Sequence, residues 1–265
     1  MRNKPLLCGL LVVLAYSSPE VSAQSNCDEG NGQLNPARPP GLPPHEIIQK
    51  FAEREALFRQ ARDNYTYIVD LTVQTLGNSN TVDGELRQVV DITYDDKGNR
   101  VEHFTYRPPS TLNRVKMTEQ DWPELDGRNG FAVTTDDLPR YDILYIGMQH
   151  VDEIDTYVFG VTPKRLQSGY FQGRIWVDDH DYQIVKTCGR SVTQAAENQS
   201  LTFVTYREQI DGQYWFPAYA RADEVLHFKN GDVHLREIVK YTRYQRFGSK
   251  TGIIFPGAAP DKKPH

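Results

Sequence analysis

Apolar residues recur every three to four positions between His45 and Arg62, then every second position through most of the chain that follows. The first pattern predicts a helix. Ile47, Ile48, Phe51, Leu57 and Phe58 form its apolar stripe, no glycine interrupts it, and Pro43-Pro44 stand just upstream. After Asp63 the period becomes two. Tyr65, Tyr67, Val69, Leu71 and Val73 alternate with mostly polar neighbours, the mark of a strand with one buried face. Leu86, Val90, Ile92 and Tyr94 repeat the pattern over Glu85–Tyr94. Between the two strands, Gly77-Asn78-Ser79-Asn80 and Asp83-Gly84 supply turn chemistry, and Asp95–Asn99 closes a hairpin onto Arg100–Arg107. The same rhythm predicts strands at Tyr141–Met148, Glu153–Val161, Tyr170–Asp178, Gln183–Cys188, Leu201–Gln209, Tyr214–Ala222 and Val233–Tyr244. Ten or eleven strands on short turns predict a mainly β (α+β) chain, one antiparallel meander with a helix to cover it. Thr118–Arg140 breaks the rhythm. It reads as a polar insert with scattered apolar residues, either a functional lid or a surface excursion packing its own side chains.

Composition narrows the function. The 265 residues are 25% charged with a formal net charge of −5, and no long basic run occurs, which argues against a phosphate-backbone binder. No nucleic-acid partner is expected. Arg2 and Lys4, the apolar run Leu6–Ala15 and the small-residue end Val21-Ser22-Ala23 read as a cleaved export signal over residues 1–23. Beyond it no apolar stretch approaches the roughly 20 residues of a membrane span, so the mature chain is expected to be soluble, periplasmic and not integral to the membrane. Cys8 and Cys27 lack the small preceding residue of a lipid-modified cysteine.

Residues 24–44 hold five Pro and three Gly in 21 positions and read as an irregular tether. Residues 248–265 read as a loose tail. Between them, residues 45–247 form a single domain. Signal cleavage leaves Cys27 and Cys188; two spare thiols in an oxidising compartment pair somewhat more often than not, but spacing alone does not show it, and two unrelated thiols are the plainer alternative.

Candidate chemistry is sparse. His45-Glu46-Ile47-Ile48-Gln49 has Gln where a zinc-protease helix needs its second His. Gly248-Ser249-Lys250-Thr251 has the letters of a phosphate-binding loop but not their order, and no nucleophile elbow or dinucleotide fingerprint occurs. The densest polar cluster is Asp178-Asp179-His180-Asp181. It could hold a hard cation or serve a hydrolase, but it sits where a hairpin turn is expected, and Asp-rich turns usually satisfy their own backbone. The seven His residues are scattered, with only His227 and His234 loosely paired. No metal and no cofactor is expected.

Three stretches carry a resemblance: Asp63-Asn64-Tyr65-Thr66-Tyr67, Asp91-Ile92-Thr93-Tyr94-Asp95-Asp96-Lys97-Gly98, and the run from Tyr170 to Lys186 containing Ile175-Trp176-Val177-Asp178 and Gln183-Ile184-Val185-Lys186. The last resembles the central hairpin of the outer-membrane lipoprotein-sorting family (LolA/LolB-like proteins), and the whole is most similar to a bacterial branch defined only by that likeness. The order of helix, meander, central insert and meander matches over about residues 45–247. The resemblance implies an open, strongly curved antiparallel half-barrel with an apolar cavity, and a carrier of lipid, of acyl chains or of lipoproteins rather than an enzyme. An envelope-protein partner, in a sensor role on the same fold, is the alternative. The Pro-rich leader, the cysteine pair and the basic last strand depart from the family.

One helix and a partly polar insert look too small to fill the concave side of ten strands. The expected ligand face is therefore Tyr65, Tyr67, Val69, Leu71, Val73, Leu86, Val90 and Ile92 on the first strands, continued by Tyr157, Phe159, Phe171, Ile175 and Val177. Trp122, Leu125 and Phe131 of the insert are expected over its mouth as a lid. A filled core is the plainer alternative.

Overall fold

The computed structural model describes residues 27–95, 97–115, 133–192 and 200–247. One helix, α1 (Pro44–Arg62), precedes ten strands: β1 (Tyr65–Leu76), β2 (Val82–Tyr94), β3 (Arg100–Tyr106), β4 (Tyr141–Val151), β5 (Ile154–Pro163), β6 (Phe171–Asp178), β7 (Ile184–Ser191), β8 (Phe203–Ile210), β9 (Tyr214–Phe228) and β10 (Gly231–Arg246). They make one antiparallel sheet in the order β3-β2-β1-β10-β9-β8-β7-β6-β5-β4. The fold is mainly β and open: β3 and β4, neighbours in sequence among the strands, stand at opposite edges. The meander therefore comes in two pieces, joined where the last strand, β10, returns to pair with the first.

A bulge at the start of β1 adds curvature. β1 and β10 lose register between Thr66 and Ile68, and Arg243 on the β10 side takes φ +58°.

α1 begins at two prolines, whose fixed φ suits a first turn and whose missing N–H is not needed there. Arg59 and Arg62 occupy its last turn, favourable against the helix dipole. The buried face differs from the expected stripe. Ile47, Phe51, Ala52, Glu55 and Phe58 are buried, while Leu57 is 46% exposed. Positions 51, 55 and 58 lie in phase on one face, and Leu57 is turned about 100° from Phe58. A charged residue thus occupies the buried stripe. Glu55 meets Arg207 of β8 in a two-pronged ion pair, 2.7 and 3.2 Å, with the side chains 2% and 3% exposed. Burial pushes the Glu55 carboxyl up, and the Arg207 guanidinium pulls against that.

The sheet's inner face, the one α1 covers, divides in two. Beneath the helix, Ile47, Phe51 and Ala52 pack with Tyr157, Phe159, Val161, Phe171, Ile175, Val177 and Ile184. Burying each large side chain contributes about 1.5–3 kcal/mol. Beyond the helix, Leu71, Val73 and Leu86 pack with Phe203, Ala220, Leu226, Val233, Leu235, Val239 and Tyr241, and Leu112 and Val115 lie against them.

Residues 27–43 of the leader form no helix or strand, yet residues 27–37 do not hang as a tether. Asn35 and Met148 exchange backbone hydrogen bonds at 2.8 Å each way, and the Gly32 N–H donates to the His150 carbonyl at 2.8 Å. The segment so lines the outer edge of β4, where unpaired backbone would otherwise face water. Gly147 permits the approach: a Cβ there would stand 2.4 Å from the Asn35 carbonyl oxygen. Cys27 is bonded to Cys188 of β7, 161 positions away.

Candidate functional site

Strand alternation turns Tyr67 of β1, Tyr94 of β2 and Tyr241 of β10 to the inner face, as the cross-strand partners Tyr67↔Ile92 and Val69↔Tyr241 show. Just past the C-terminal end of α1 they meet Tyr244 and Phe216 around a cleft of about 240 Å³. Tyr67 and Tyr244 stack with centroids 5.2 Å apart, and Phe216 and Tyr244 lie at 4.8 Å. Pro217 completes one wall, and its carbonyl accepts the Tyr244 hydroxyl at 2.7 Å. Arg62, Asp63 and Arg100 supply the polar lining; Arg62 and Asp63 stand 3.6 Å apart, and Arg100 pairs with Glu102.

Burial, helped by Tyr67 and Asp63 nearby, pushes the Tyr94 phenol up to about 12. Tyr244 is raised still more clearly, first by burial and then by Tyr67. Both phenols are therefore neutral at pH 7. The cleft offers flat apolar walls, hydroxyls and guanidinium groups, and its lining contains no Ser, Cys or His. Its volume is below the roughly 300–1,000 Å³ of sites that enclose a drug-sized ligand. It suits part of a long molecule or a small ring.

The cleft continues into the apolar inner face, since Tyr241 belongs to the β1–β10 cluster and Tyr67 and Tyr244 pack on it. Of the sequence-derived ligand residues, Tyr67 lines the cleft. Leu71, Val73 and Leu86 lie buried in the adjoining cluster, with Val69 packed against it, and Val90 faces Val69 across the strand pair. Ile92 is buried opposite Tyr67, and Tyr65 packs with Phe58 and Phe216. Tyr157, Phe159, Phe171, Ile175 and Val177 are separated from these and lie under α1. Trp122, Leu125 and Phe131 lie outside the described residues, as do the signal and the tail. Two polar side chains, Gln88 and Glu237, are buried on the same inner face, Gln88 opposite Leu71 and Glu237 opposite Val73.

Sequence reading did not single out Phe216, Tyr241, Tyr244, Arg62 or Arg100. Tyr241 was findable, because it extends the alternation Val233, Leu235, Val239. The others meet only because β3, β9, β10 and the end of α1 converge.

The acidic cluster proves to be a turn. Asp178 Oδ1 accepts the N–H groups of His180 and Asp181 at 2.7 and 3.2 Å, and Asp179 pairs with His180 at 2.6 Å. Asp181 accepts the Gln183 N–H at 2.8 Å and the Trp215 indole at 3.0 Å. Ligand-type atoms of Asp178, Asp179 and His180 do lie within 4.8 Å of one another, but the turn accounts for their arrangement. His227 and His234 each face a separate carboxylate, Asp232 and Asp223.

No helix among the described residues is long and apolar enough to cross a membrane. No family model matches the chain, and no curated protein matches it. Among solved structures it is similar to a DUF1329 family protein from Desulfovibrio piger, at 14% identity and TM-score 0.37 over 77% of this chain and 95% of that one. A LolA superfamily protein from Nitrosomonas europaea matches at 13% identity and TM-score 0.34, over 81% and 98%. An outer membrane lipoprotein-sorting protein domain from Vibrio parahaemolyticus matches at 13% and 0.33, over 76% and 92%. With TM-scores this low the likeness is one of general architecture, and the functional reading rests on the chain's own geometry.

Proposed function

We propose that this chain is a periplasmic, non-catalytic carrier or binding protein for lipid-like ligands, with an acyl chain or similar apolar body held on the inner face of the sheet. The supporting observation is the aromatic cleft, open to solvent at its polar lining and continuous with the apolar cluster of β1, β2, β9 and β10. Each methylene moved from water onto that surface contributes about 0.8 kcal/mol, so even a short stretch of chain gives useful affinity. Such a ligand could be the acyl group of a lipoprotein. The neutral phenols and flat aromatic walls favour contact with an apolar body.

Native mass spectrometry of the periplasmic protein, with lipid extraction, tests this reading. Co-purifying lipid is expected. A fluorescent fatty-acyl probe should bind wild type, and bind at least tenfold more weakly to Val69→Glu, which places a carboxylate among Tyr67, Tyr241 and Leu71. Absence of lipid together with equal probe binding by both folded proteins would sink the carrier reading.

A sensor that docks an envelope protein is the second reading. β3 favours it: it is an edge strand, and its Phe104 and Tyr106 are 42% and 49% exposed. Pull-down of a protein partner without extractable lipid would support it.

A further inference from the structure

The sheet's outer face carries a second cluster of chemistry, unrelated to the cleft. Cross-strand pairing sets Arg174, Cys188, Val204 and Arg221 in one row of that face, and Trp176, Lys186, Tyr206 and Tyr219 in the next. Three cations, Arg174, Lys186 and Arg221, thus lie among the rings of Trp176, Tyr206 and Tyr219. The Lys186 ammonium sits 5.0 Å from the Trp176 ring centre and 4.7 Å from that of Tyr206, and both Lys186 and Trp176 are fully buried.

The leader lies across this patch and answers each cation in turn. Asp28 takes both prongs of Arg174 at 3.1 and 2.8 Å, Glu29 pairs with Arg221, and Asn31 Oδ1 accepts Lys186 Nζ at 2.7 Å. Gln149 ties the layers together, accepting the Trp176 indole at 2.7 Å and donating to the Gly32 carbonyl at 2.9 Å. The Cys27–Cys188 bond pins the leader within the row, between Arg174 and Val204. The contact has the form of a ligand bound to a receptor: an acidic turn, Asp28 and Glu29, runs into a stretch paired to β4, with side chains and backbone engaged on a cationic and aromatic surface.

We propose that this outer-face patch is a binding face for an acidic peptide of a partner protein, held closed by the chain's own residues 27–35 while the Cys27–Cys188 bond is intact. A covalently pinned strap cannot be displaced. Reduction by a dithiol gives each sulfur a hydrogen and leaves the dithiol oxidised to its own disulfide. The strap then becomes a tethered ligand with an effective concentration of about 1 mM, which a peptide in trans can compete with.

The receptor for the test is the full mature chain carrying Cys27→Ser, Asp28→Asn and Glu29→Gln, whose strap is neither pinned nor acidic. The probe is a fluorescein-labelled synthetic peptide of residues 26–37 with Cys27→Ser, read by anisotropy. The expected result is binding at least tenfold tighter than to the oxidised parental chain, weakened by salt. Binding should also weaken at least tenfold when the peptide carries Asp28→Asn and Glu29→Gln, or when the receptor also carries Arg174→Gln and Arg221→Gln. Equal binding of charged and neutral peptides, or no peptide binding by the folded receptor, would overturn the proposal. So would capture of phosphatidylglycerol vesicles in place of the peptide. The parental chain reduced with dithiothreitol gives the second measurement: amides of residues 32–35 should lose exchange protection while those of β6 and β7 keep theirs. If reduction unfolds the sheet itself, the segment is a permanent staple and the proposal fails.

Discussion

Removing one member of the Glu55–Arg207 pair should be far more damaging than removing both. A guanidinium does not shed its charge inside a protein, whereas a carboxyl can take up a proton. Glu55→Leu therefore leaves a fixed, buried cation against the Phe58 ring, with the Ile184 carbonyl 3.4 Å away as an acceptor for Arg207. The expected loss is about 3–5 kcal/mol. For a chain of this size that corresponds to a fall in Tm of about 6–20 °C. Arg207→Met should cost less, because Glu55 can respond by holding a proton. Its carboxyl is already raised above the ordinary 4.5 by burial, and losing Arg207 raises it further. A raised folded-state value means that protonation favours the fold. The Glu55 contribution to this variant's stability should accordingly be fully present below pH 4.5 and be lost as the pH rises through the folded-state value. Glu55→Leu combined with Arg207→Met removes both charges and should return to within about 1–2 kcal/mol of wild type. Urea unfolding of the four proteins at pH 5 and pH 7, followed by circular dichroism, closes the double-mutant cycle. If the double variant is as unstable as Glu55→Leu alone, the pair has no coupling, and the argument that α1 is anchored through this charge is wrong.

Three further outcomes are expected. Burial pushes Lys186 down to about 8, with Asp28 and Asp152 opposing and Arg174 and Arg221 adding to the fall. Since the unfolded chain binds this proton up to about pH 10.5, wild-type stability should rise relative to Lys186→Met by about 3 kcal/mol between pH 7 and 11, and a flat difference would contradict it. Gly147→Ala should push the leader off the β4 edge at a cost of about 1–3 kcal/mol, seen as faster hydrogen exchange at Gly32, Asn35 and Met148; unchanged exchange would refute the close approach. Cys188→Ser should lower stability by about 2–5 kcal/mol in non-reducing urea titrations, and a variant as stable as the oxidised parent would show that the long loop adds nothing.

Hydrophobic periodicity located α1 and all ten strands to within about three residues at each end, except that β9 runs on to Phe228 past the expected Ala222, because a buried face imposes period 3.6 or 2 on whatever chain forms it. The turns were legible for the same local reason, Asp and Gly supplying conformations and acceptors within a few residues. Periodicity says which face of a strand is buried, but not what covers it. It therefore ran Tyr65 through Val177 into one ligand face, where among the described residues α1 covers the β5–β7 part and a cleft lies at the β1–β10 end. The return of β10 to β1, the meeting of Phe216 with Tyr67 and Tyr244, and the contact of Cys27 with Cys188 across 161 positions depend on long-range pairing. Glu55 shows the limit most sharply. Its type calls for water, and Leu57, two positions on, calls for the core. Tertiary structure reverses them, because helix phase places Glu55 between Phe51 and Phe58 and a strand more than 150 residues away brings Arg207 to meet it.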